Sequence, residues 1–488
     1  MTKNRLIWTT TALVALAGPA AALTPMEAWE GVRDRLGEAG MMVSGTARPE
    51  EGRVVVQDIV LMSEGEAGFE IDVGEVAFIE AGDDVTVDLP EIIAFNARDT
   101  DGKAETLAEM SFTDPDLSLE EVGSVLGVAF SDSRVKFSGA AEDETSRGEF
   151  SMEMTSVEYA QIVDEGGYQA SDFGAGGLVL DMNLDGPKSV EMSMQSGPIS
   201  SHSRVWITTG AGDLGNMPET VEGFFSAIPR METQSRLSDF DMSMRIERQG
   251  EDPIDVSMHL GDVASDFSLR NGRVEAEAIY QALALEMSGV PSVMQALGGE
   301  VRSMTLQIGL PVDPEIGSGA MDVAFSISDL AIDESVWAMV DPSGIFPRDP
   351  ISTTVDLSGE MAPVLGVIKS MNEAPYERFD IEELSFSGLG AEFFGFGEFT
   401  ANPAGARGTL EEMDGQAQLR AVGLAQLLEK LGEAGILAPR EFSQARGLVA
   451  MLFERSDDEM VSNIVLKDGG VVLNGAMMMP PSAGAPRQ

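Results

Sequence analysis

Apolar and polar residues alternate with a period of two through most of this chain, and this pattern restricts its fold more than any other feature. Successive side chains of a strand point to opposite faces, so each alternating segment has one apolar and one polar face. Such strands are typical of antiparallel sheets that expose one face to water. The clearest segments are 69–73, 178–184, 190–194, 240–246, 254–260, 304–310 and 321–327.

Short turn signals separate several of these segments. Asn271-Gly272 and Asp468-Gly469 are dipeptides that favour two-residue hairpin turns. Asp185-Gly186-Pro187 and Gln249-Gly250-Glu251 separate two further pairs of alternating segments. We therefore predict a long meander of hairpins that forms one or two curved antiparallel β-sheets.

Helical periodicity is restricted to short segments. Residues 25–39 predict a helix with Thr24 as its cap and Pro25 in its first turn. Apolar stripes over 424–431 and 442–452 predict a helical hairpin packed on the sheet, followed by a strand pair near 460–466 and 470–478. The predicted fold class is thus mainly β with α (α+β). Further short helices are predicted at 218–228, 291–297, 333–340 and 361–371.

The amino terminus has the pattern of a secretory signal peptide, residues 1–22. Lys3 and Arg5 precede an uncharged apolar run, and Ala20-Ala21-Ala22 supplies the small residues that a signal peptidase recognises. We expect cleavage after Ala22 and a periplasmic or secreted mature chain. No later stretch reaches about eighteen uncharged apolar residues, so we do not expect an integral membrane protein.

The mature chain divides into two expected regions and a tail. Pro311 and Pro314 mark a boundary that separates an N-terminal β-rich region, 23–316, from a C-terminal sheet and helical-hairpin region, 317–479. A second candidate boundary lies at 401–408, which is rich in Gly, Ala and Pro. Residues 480–488 are expected to be disordered. The chain has no cysteine, so its stability has to come from packing, for which its length is sufficient.

The chain is strongly acidic, with 82 Asp and Glu residues against 31 Lys and Arg residues and a formal net charge of −51. Such a surface repels nucleic acid and anionic lipid headgroups. We interpret the charge mainly as a solubility device; divalent-cation binding or attraction to a basic partner is the alternative.

Asp181-Met182-Asn183-Leu184-Asp185-Gly186 matches the opening of a calcium-binding loop, with oxygen ligands at alternate positions. The closing glutamate belongs at the twelfth position of such a loop, whereas Glu191 is the eleventh residue and Met192 the twelfth. Because the flanking residues alternate as in strands, we predict a hairpin, with a calcium site as the alternative.

No motif predicts a catalytic centre. His202 and His259 are the two histidines, and we expect both at solvent-facing strand positions rather than in a zinc site or a Ser-His-Asp triad. The G-x-G spacings at 388–390 and 395–397 lack a third glycine that opens a helix, so tightly packed strands explain them better than a phosphate site. We predict no catalytic residue, no metal site and no cofactor; ligand-binding residues stay unassigned.

Methionine is unusually frequent, with 29 residues in the chain. Its side chain is flexible and polarizable, which suits an adaptable apolar surface for an acyl chain. Ordinary core filling is the alternative interpretation. The methionines expected on apolar strand faces are Met182, Met192, Met194, Met242, Met244, Met258, Met304 and Met321.

Two segments resemble a known family. Residues 337–359 read WAMVDPSGIFPRDPISTTVDLSG, and residues 466–475 read LKDGGVVLNG. In this order, after a leading Leu23-Thr24-Pro25, they are similar to the bacterial family called domain of unknown function 2125, found in exported alphaproteobacterial proteins. The resemblance implies an exported envelope protein and brings no catalytic residues with it.

Three functions follow as hypotheses. The first is a non-enzymatic periplasmic protein whose curved sheet binds or shields a lipid or another apolar ligand. The second is a structural or assembly factor of the envelope that binds another protein. The third, which we place last, is a hydrolase that uses paired carboxylates; with so many acidic residues the sequence does not nominate the pair. Nucleic acid is not expected as a partner.

Overall fold

The structure of the protein is a computed structural model. The residues it describes are 23–38, 40–63, 69–82, 84–98, 104–122, 125–142, 146–164, 167–207, 228–248, 250–289, 296–313, 317–364, 376–401, 413–456 and 459–479.

Strands dominate the described residues, as the alternating pattern predicts. The strands are β1 Met41–Glu50, β2 Arg53–Ser63, β3 Phe69–Ala81, β4 Asp84–Asp88, β5 Ile92–Arg98, β6 Ala104–Phe112, β7 Asp116–Val122, β8 Val125–Glu142, β9 Arg147–Asp164, β10 Tyr168–Ala175, β11 Gly177–Asp185, β12 Lys188–Ser196, β13 Ile199–Trp206, β14 Arg230–Arg248, β15 Ile254–Arg270, β16 Arg273–Ser288, β17 Ala296–Pro311, β18 Gly319–Ile332, β19 Ile351–Met361, β20 Tyr376–Gly388, β21 Ala391–Ala401, β22 Met413–Val422, β23 Glu454–Ser456, β24 Glu459–Lys467, β25 Gly470–Leu473 and β26 Ala476–Met479. The helices among the described residues are α1 Pro25–Glu38, α2 Glu334–Val340, α3 Leu424–Glu433 and α4 Pro439–Leu452.

The chain forms two compact units, residues 1–257 and 258–488, and β15 begins in the first and continues in the second. This division lies upstream of the boundary predicted near Pro311, and the predicted regions 23–316 and 317–479 stay predictions.

The first unit is an antiparallel arrangement of long and short strands. Strands β1, β2 and β3 pair in sequence, and β3 also pairs with β4 and β5. Strand β8 pairs with β6, β7 and β9. Strands β10 and β11 both pair with β9, while β13 and β12 both pair with β14. The pairs β10–β13 and β11–β12 complete this part of the sheet.

The second unit follows the predicted meander closely. Each strand from β16 to β22 pairs with the next one in the chain, always antiparallel. Strand β24 then pairs with β22, β23 and β25, and β25 pairs with β26. Both α3 and α4 are present as the predicted helical hairpin, and α3 contacts β21.

The turn predictions are confirmed where the backbone needs unusual torsion angles. Asn271 and Gly272 both have positive φ, 51° and 70°, between β15 and β16. Asp468 and Gly469 have φ of 50° and 75° between β24 and β25. Two successive residues with positive φ are the requirement of the hairpin turn that matches the twist of antiparallel strands.

A cluster of buried apolar residues in the first unit lies under α1. Trp29 of this helix is 4% exposed and its ring centroid lies 6.0 Å from that of Phe78 in β3. Val56 and Val85 in the same cluster are fully buried. The helix begins as predicted, because the Thr24 side chain and Glu27 exchange hydrogen bonds across the first turn.

Three element predictions need correction. Leu297 was expected at the end of a helix but lies in β17, which pairs with β16 along its length. Met361 was expected to begin a helix but ends β19, where it pairs with Gly319 and is buried. In both cases strand pairing outweighs a weak local helical pattern. The strand predicted over 470–478 is two strands, because Asn474 and Gly475 have positive φ and form a turn.

Other predictions fall outside the described residues. These are the signal peptide 1–22, residues 218–227 and 291–295 of two predicted helices, residues 365–371 of a third and the tail 480–488. In the part of the chain that the structure describes, no helix has both the length and the apolar character needed to cross a membrane.

Candidate apolar binding faces

The second unit has an apolar sheet face formed by four neighbouring strands, β17 to β20. Directly opposed residues of antiparallel strands lie on the same face, so the register defines rows across the sheet. Leu306, Phe325, Val355 and Leu384 form one such row. We call the following set the aliphatic face: Met304, Leu306, Ile308, Val323, Phe325, Ile327, Thr353, Val355, Leu357, Ile381, Leu384 and Phe386.

The aliphatic face is only partly covered. None of its twelve side chains is fully buried, and Leu306 keeps 39% of its surface exposed. In a packed core such residues lose nearly all of their accessible surface, and each buried aliphatic side chain contributes about 1.5–3 kcal/mol. The aliphatic face can therefore bury more apolar surface if an apolar ligand binds to it.

The opposite side of the same strands is polar. Thr305, Ser326, Thr354 and Ser385 form a cross-strand row immediately beside the row that contains Phe325. Each of these four residues neighbours a member of the aliphatic face in its own strand and points the other way. Because one face of these strands is apolar and the other is polar, an apolar ligand can bind favourably to the aliphatic face only.

The first unit has a second apolar face, which is rich in methionine. Met182, Met192 and Met244 are opposed across β11, β12 and β14. Met194 and Met242 are opposed in the next row. We call the following set the methionine face: Met152, Met154, Met182, Met192, Met194, Met242 and Met244.

The methionine face is also incompletely covered. None of its seven side chains is fully buried, and Met182 is 37% exposed. Phe137 and Phe150 border it, with ring centroids 5.2 Å apart. Phe137 is directly opposed to Met152 and Phe150 to Met182, so these rings lie on the same face as the thioethers.

The structure brings together five of the eight methionines singled out from the sequence, namely Met182, Met192, Met194, Met242 and Met244. Met304 belongs to the aliphatic face. Met258 lies in β15, and Met321 is 4% exposed in the second unit, as core filling predicts. Met152 and Met154 were not predicted as members of this face, although Phe150, Met152 and Met154 alternate with polar residues in the sequence.

The calcium-like segment forms the predicted hairpin between β11 and β12. Asp181 and Met182 are adjacent in β11, so their side chains lie on opposite faces. The Ser193 hydroxyl donates to Oδ1 of Asp181 over 2.7 Å, which uses one of the oxygens that the motif would offer to a cation. Glu191 pairs with Asn183 across the hairpin.

The histidines and the glycine pairs lie in strands or turns. Nδ1 of His202 lies 2.6 Å from Oδ1 of Asp172 on the neighbouring strand, with the imidazole 53% exposed. His259 lies in β15. Gly388 ends β20, Leu389 and Gly390 form the turn to β21, and Gly395 and Gly397 lie within β21. Among the described residues, no three His, Cys, Asp or Glu side chains are grouped closely enough to hold a metal ion.

One buried carboxylate stands out in the segment 337–359. Asp341 is 1% exposed and accepts hydrogen bonds from the backbone N–H groups of Ile345 and Phe346 and from the Arg348 guanidinium. The Arg348 guanidinium lies over the Trp337 ring, 4.5 Å from its centroid. Both carboxylate oxygens of Asp341 thus accept hydrogen bonds from the loop that follows α2. We interpret Asp341 as a structural residue that holds this loop in place.

Comparison of the chain with protein-family models gives no match. Neither curated proteins nor solved structures give a significant match. The resemblance to domain of unknown function 2125 stays a prediction.

Proposed function

We propose that this protein is a non-enzymatic exported protein that binds or shields the acyl chains of a lipid on the aliphatic face of its sheet. The observation that supports the proposal most directly is the aliphatic face. Its row of Leu306, Phe325, Val355 and Leu384 contains no hydrogen-bonding side chain and is not fully buried.

An acyl chain is the ligand that this chemistry favours. Thr353 is the only member of the aliphatic face with a polar side-chain atom, and its hydroxyl donates to the backbone carbonyl of Ser385. A peptide ligand would leave its backbone polar groups without partners on such a surface, which costs free energy. A hydrocarbon chain has no such groups.

The spacing of the strands determines the width of the aliphatic face. Neighbouring strands lie about 4.8 Å apart, so the four strands from β17 to β20 give an apolar band about 14 Å wide between the outer strand axes. This width is several times that of a single hydrocarbon chain. The proposal is therefore compatible with a lipid that has more than one acyl chain.

Two variants on adjacent residues of β18 test the proposal. Phe325→Glu places a charge within the aliphatic face, while Ser326→Glu places the same charge on the polar side of the same strand. Binding of a phosphatidylethanolamine with a fluorescent acyl chain is measured by titration into the mature protein. We expect Phe325→Glu to weaken binding at least about tenfold, equivalent to about 1.4 kcal/mol, and Ser326→Glu to bind like the wild type.

Native mass spectrometry of the mature protein, purified gently from its own host, is the complementary measurement. Extra mass that is removed by organic solvent and identified as lipid supports the proposal. A bare chain that also fails to bind the fluorescent lipid contradicts it, and a defined complex with another protein would favour the assembly-factor hypothesis instead.

A further inference from the structure

We propose that the methionine face of the first unit binds a soft monovalent metal cation, Cu(I), through thioether sulfurs. This site does not depend on the proposed lipid function and lies in the other unit from the aliphatic face. It is suggested by the register of the strands, which places methionines next to one another in two adjacent rows.

The geometry of neighbouring strands brings the sulfurs within reach of one ion. Met192 is directly opposed to Met182 on one side and to Met244 on the other. Opposed residues of an antiparallel pair have Cβ atoms about 4.5–5.5 Å apart, and the methionine sulfur lies two bonds beyond Cβ on a flexible side chain. Three thioethers can thus converge on one ion, and Met194 and Met242 in the next row offer a fourth and a fifth sulfur.

The donor set selects a soft ion. Thioethers favour Cu(I), whereas carboxylate and carbonyl oxygens favour calcium, magnesium and manganese. Asp181 and Glu191 neighbour Met182 and Met192 in sequence, and their side chains lie on the opposite face. Their charge raises the local concentration of cations without supplying hard ligands to the methionine face.

Imidazole and thiolate ligands are not needed at this site. The chain has no cysteine. His202 lies in β13, where its cross-strand neighbours are Asp172 and Gln234, and it belongs to neither methionine row. Because a thioether does not titrate in the physiological range, the site should bind Cu(I) independently of pH, in contrast to a histidine site, which loses its ion below about pH 6.5.

The test uses the mature protein under anaerobic conditions and two probes. Cu(I) is presented as its complex with a coloured chelator, and transfer to the protein is followed by the loss of the chelator's absorbance. Ag(I), a redox-inert soft cation, is added in a parallel native mass spectrometry titration. We expect the wild type to take up metal from both probes with the same affinity at pH 5 and pH 7.

The main variant is Met192→Leu combined with Met244→Leu, which removes two adjacent sulfurs while conserving volume, a change that cores usually tolerate. We expect it to weaken metal binding at least about tenfold. The matched control combines Met321→Leu with Met413→Leu, whose cross-strand partners Gly359 and Ala401 are not methionines, and should bind metal like the wild type. If the double variant at 192 and 244 fails to fold, the single variants Met182→Leu and Met194→Leu replace it.

Three results would overturn the proposal: no uptake of Cu(I) or Ag(I) by the wild type, undiminished uptake by folded variants that lack the central sulfurs, or uptake that disappears between pH 7 and pH 5. None of them bears on lipid binding by the aliphatic face, so the two proposals fail or stand separately.

Discussion

At the residue scale, two aspartates show how the surroundings of a carboxyl group set its effect on stability. Burial by itself raises the pKa of Asp341, but hydrogen bonds from Phe346, Ile345 and Arg348 outweigh it and lower the pKa. Burial also raises the pKa of Asp356, and there the nearby carboxylates of Glu382 and Glu383 raise it further. The two groups therefore have opposite linkage to pH.

Asp341→Asn should lower the thermal unfolding midpoint at neutral pH. A folded-state pKa below the unfolded value of about 3.9 means that the charged carboxylate stabilises the folded chain above that pH. The stabilisation is lost as the pH falls through the folded-state pKa, so wild type and variant should converge in acid. Melting curves at several pH values measure this. Asp349→Asn, at an exposed position of the same segment, is the control and should have little effect.

Asp356→Asn should have the opposite effect and raise the unfolding midpoint at pH 7. A folded-state pKa above the unfolded value means that stability is lost as the pH rises through the interval between the two values. Removal of the charge relieves repulsion from Glu382, Glu383 and Asp322. The difference between variant and wild type should vanish below about pH 3.9. A variant that melts at a lower temperature than the wild type at pH 7 would contradict this account.

At the element scale, α1 shows how a short helix is fixed by its cap and by one large side chain. Thr24 and Glu27 satisfy each other's hydrogen bonds at the first turn, and Trp29 packs against β3. The hairpin helices differ, since neither α3 nor α4 has a fully buried residue. Helices of this length gain most of their stability from tertiary packing. We therefore expect α1 to be more stable against local unfolding than α3 and α4.

Trp29→Ala should destabilise the first unit by about 3–5 kcal/mol, the usual cost of deleting a buried aromatic side chain. Thr24→Ala should cost about 1 kcal/mol through loss of the cap. Urea unfolding followed by circular dichroism provides the measurement. Glu30→Ala, at an exposed position of the same helix, is the matched control. If Trp29→Ala and Glu30→Ala unfold at the same urea concentration, the packing of α1 on the sheet is wrong.

At the scale of the whole molecule, the acidic charge opposes folding. With a formal net charge of −51, carboxylates repel one another more strongly in the compact chain than in the unfolded one. Salt screens this repulsion, because the Debye length falls from about 30 Å at 0.01 M to about 3 Å at 1 M ionic strength.

We therefore expect the unfolding midpoint to rise steadily as sodium chloride is increased from about 0.01 M to about 1 M. The experiment uses a chloride salt rather than a sulfate salt, because sulfate also stabilises the folded chain by strengthening the burial of apolar surface. Calorimetry or circular dichroism detects the shift. A midpoint that stays constant or falls over this range would show that ion pairs such as Arg273 with Asp322, 2.6 Å apart, outweigh the overall repulsion.

Much of the fold could be predicted because its signals are local. The alternation of residues 304–310 placed β17 and its two faces correctly, and Asn271-Gly272 located a hairpin turn. The pairing of β3 with β5, β4 with β7 and β6 with β8 could not be predicted. Such pairs join strands that are not consecutive, and nothing in either strand alone specifies its partner.

The irregularities of the strands could not be predicted from the sequence either. Ser156, Asp239, Ala282 and Asp329 all have positive φ within strands that alternate smoothly in sequence. At Asp329 the register of the neighbouring pair shifts: β18 and β19 pair Ile327 with Thr353 but Leu330 with Ile351. Bulges of this kind depend on the fit between neighbouring strands and increase the local twist.

The sequence by itself determined which side chains lie on the same face of each strand, because the period of two is a property of the backbone. It also determined the acidity and the absence of cysteine. Only the tertiary structure decided that Met192 lies between Met182 and Met244, and that Phe325 lies between Leu306 and Val355 without full burial. Register and coverage are set by contacts between distant segments, and these contacts turn separate apolar stripes into candidate binding faces.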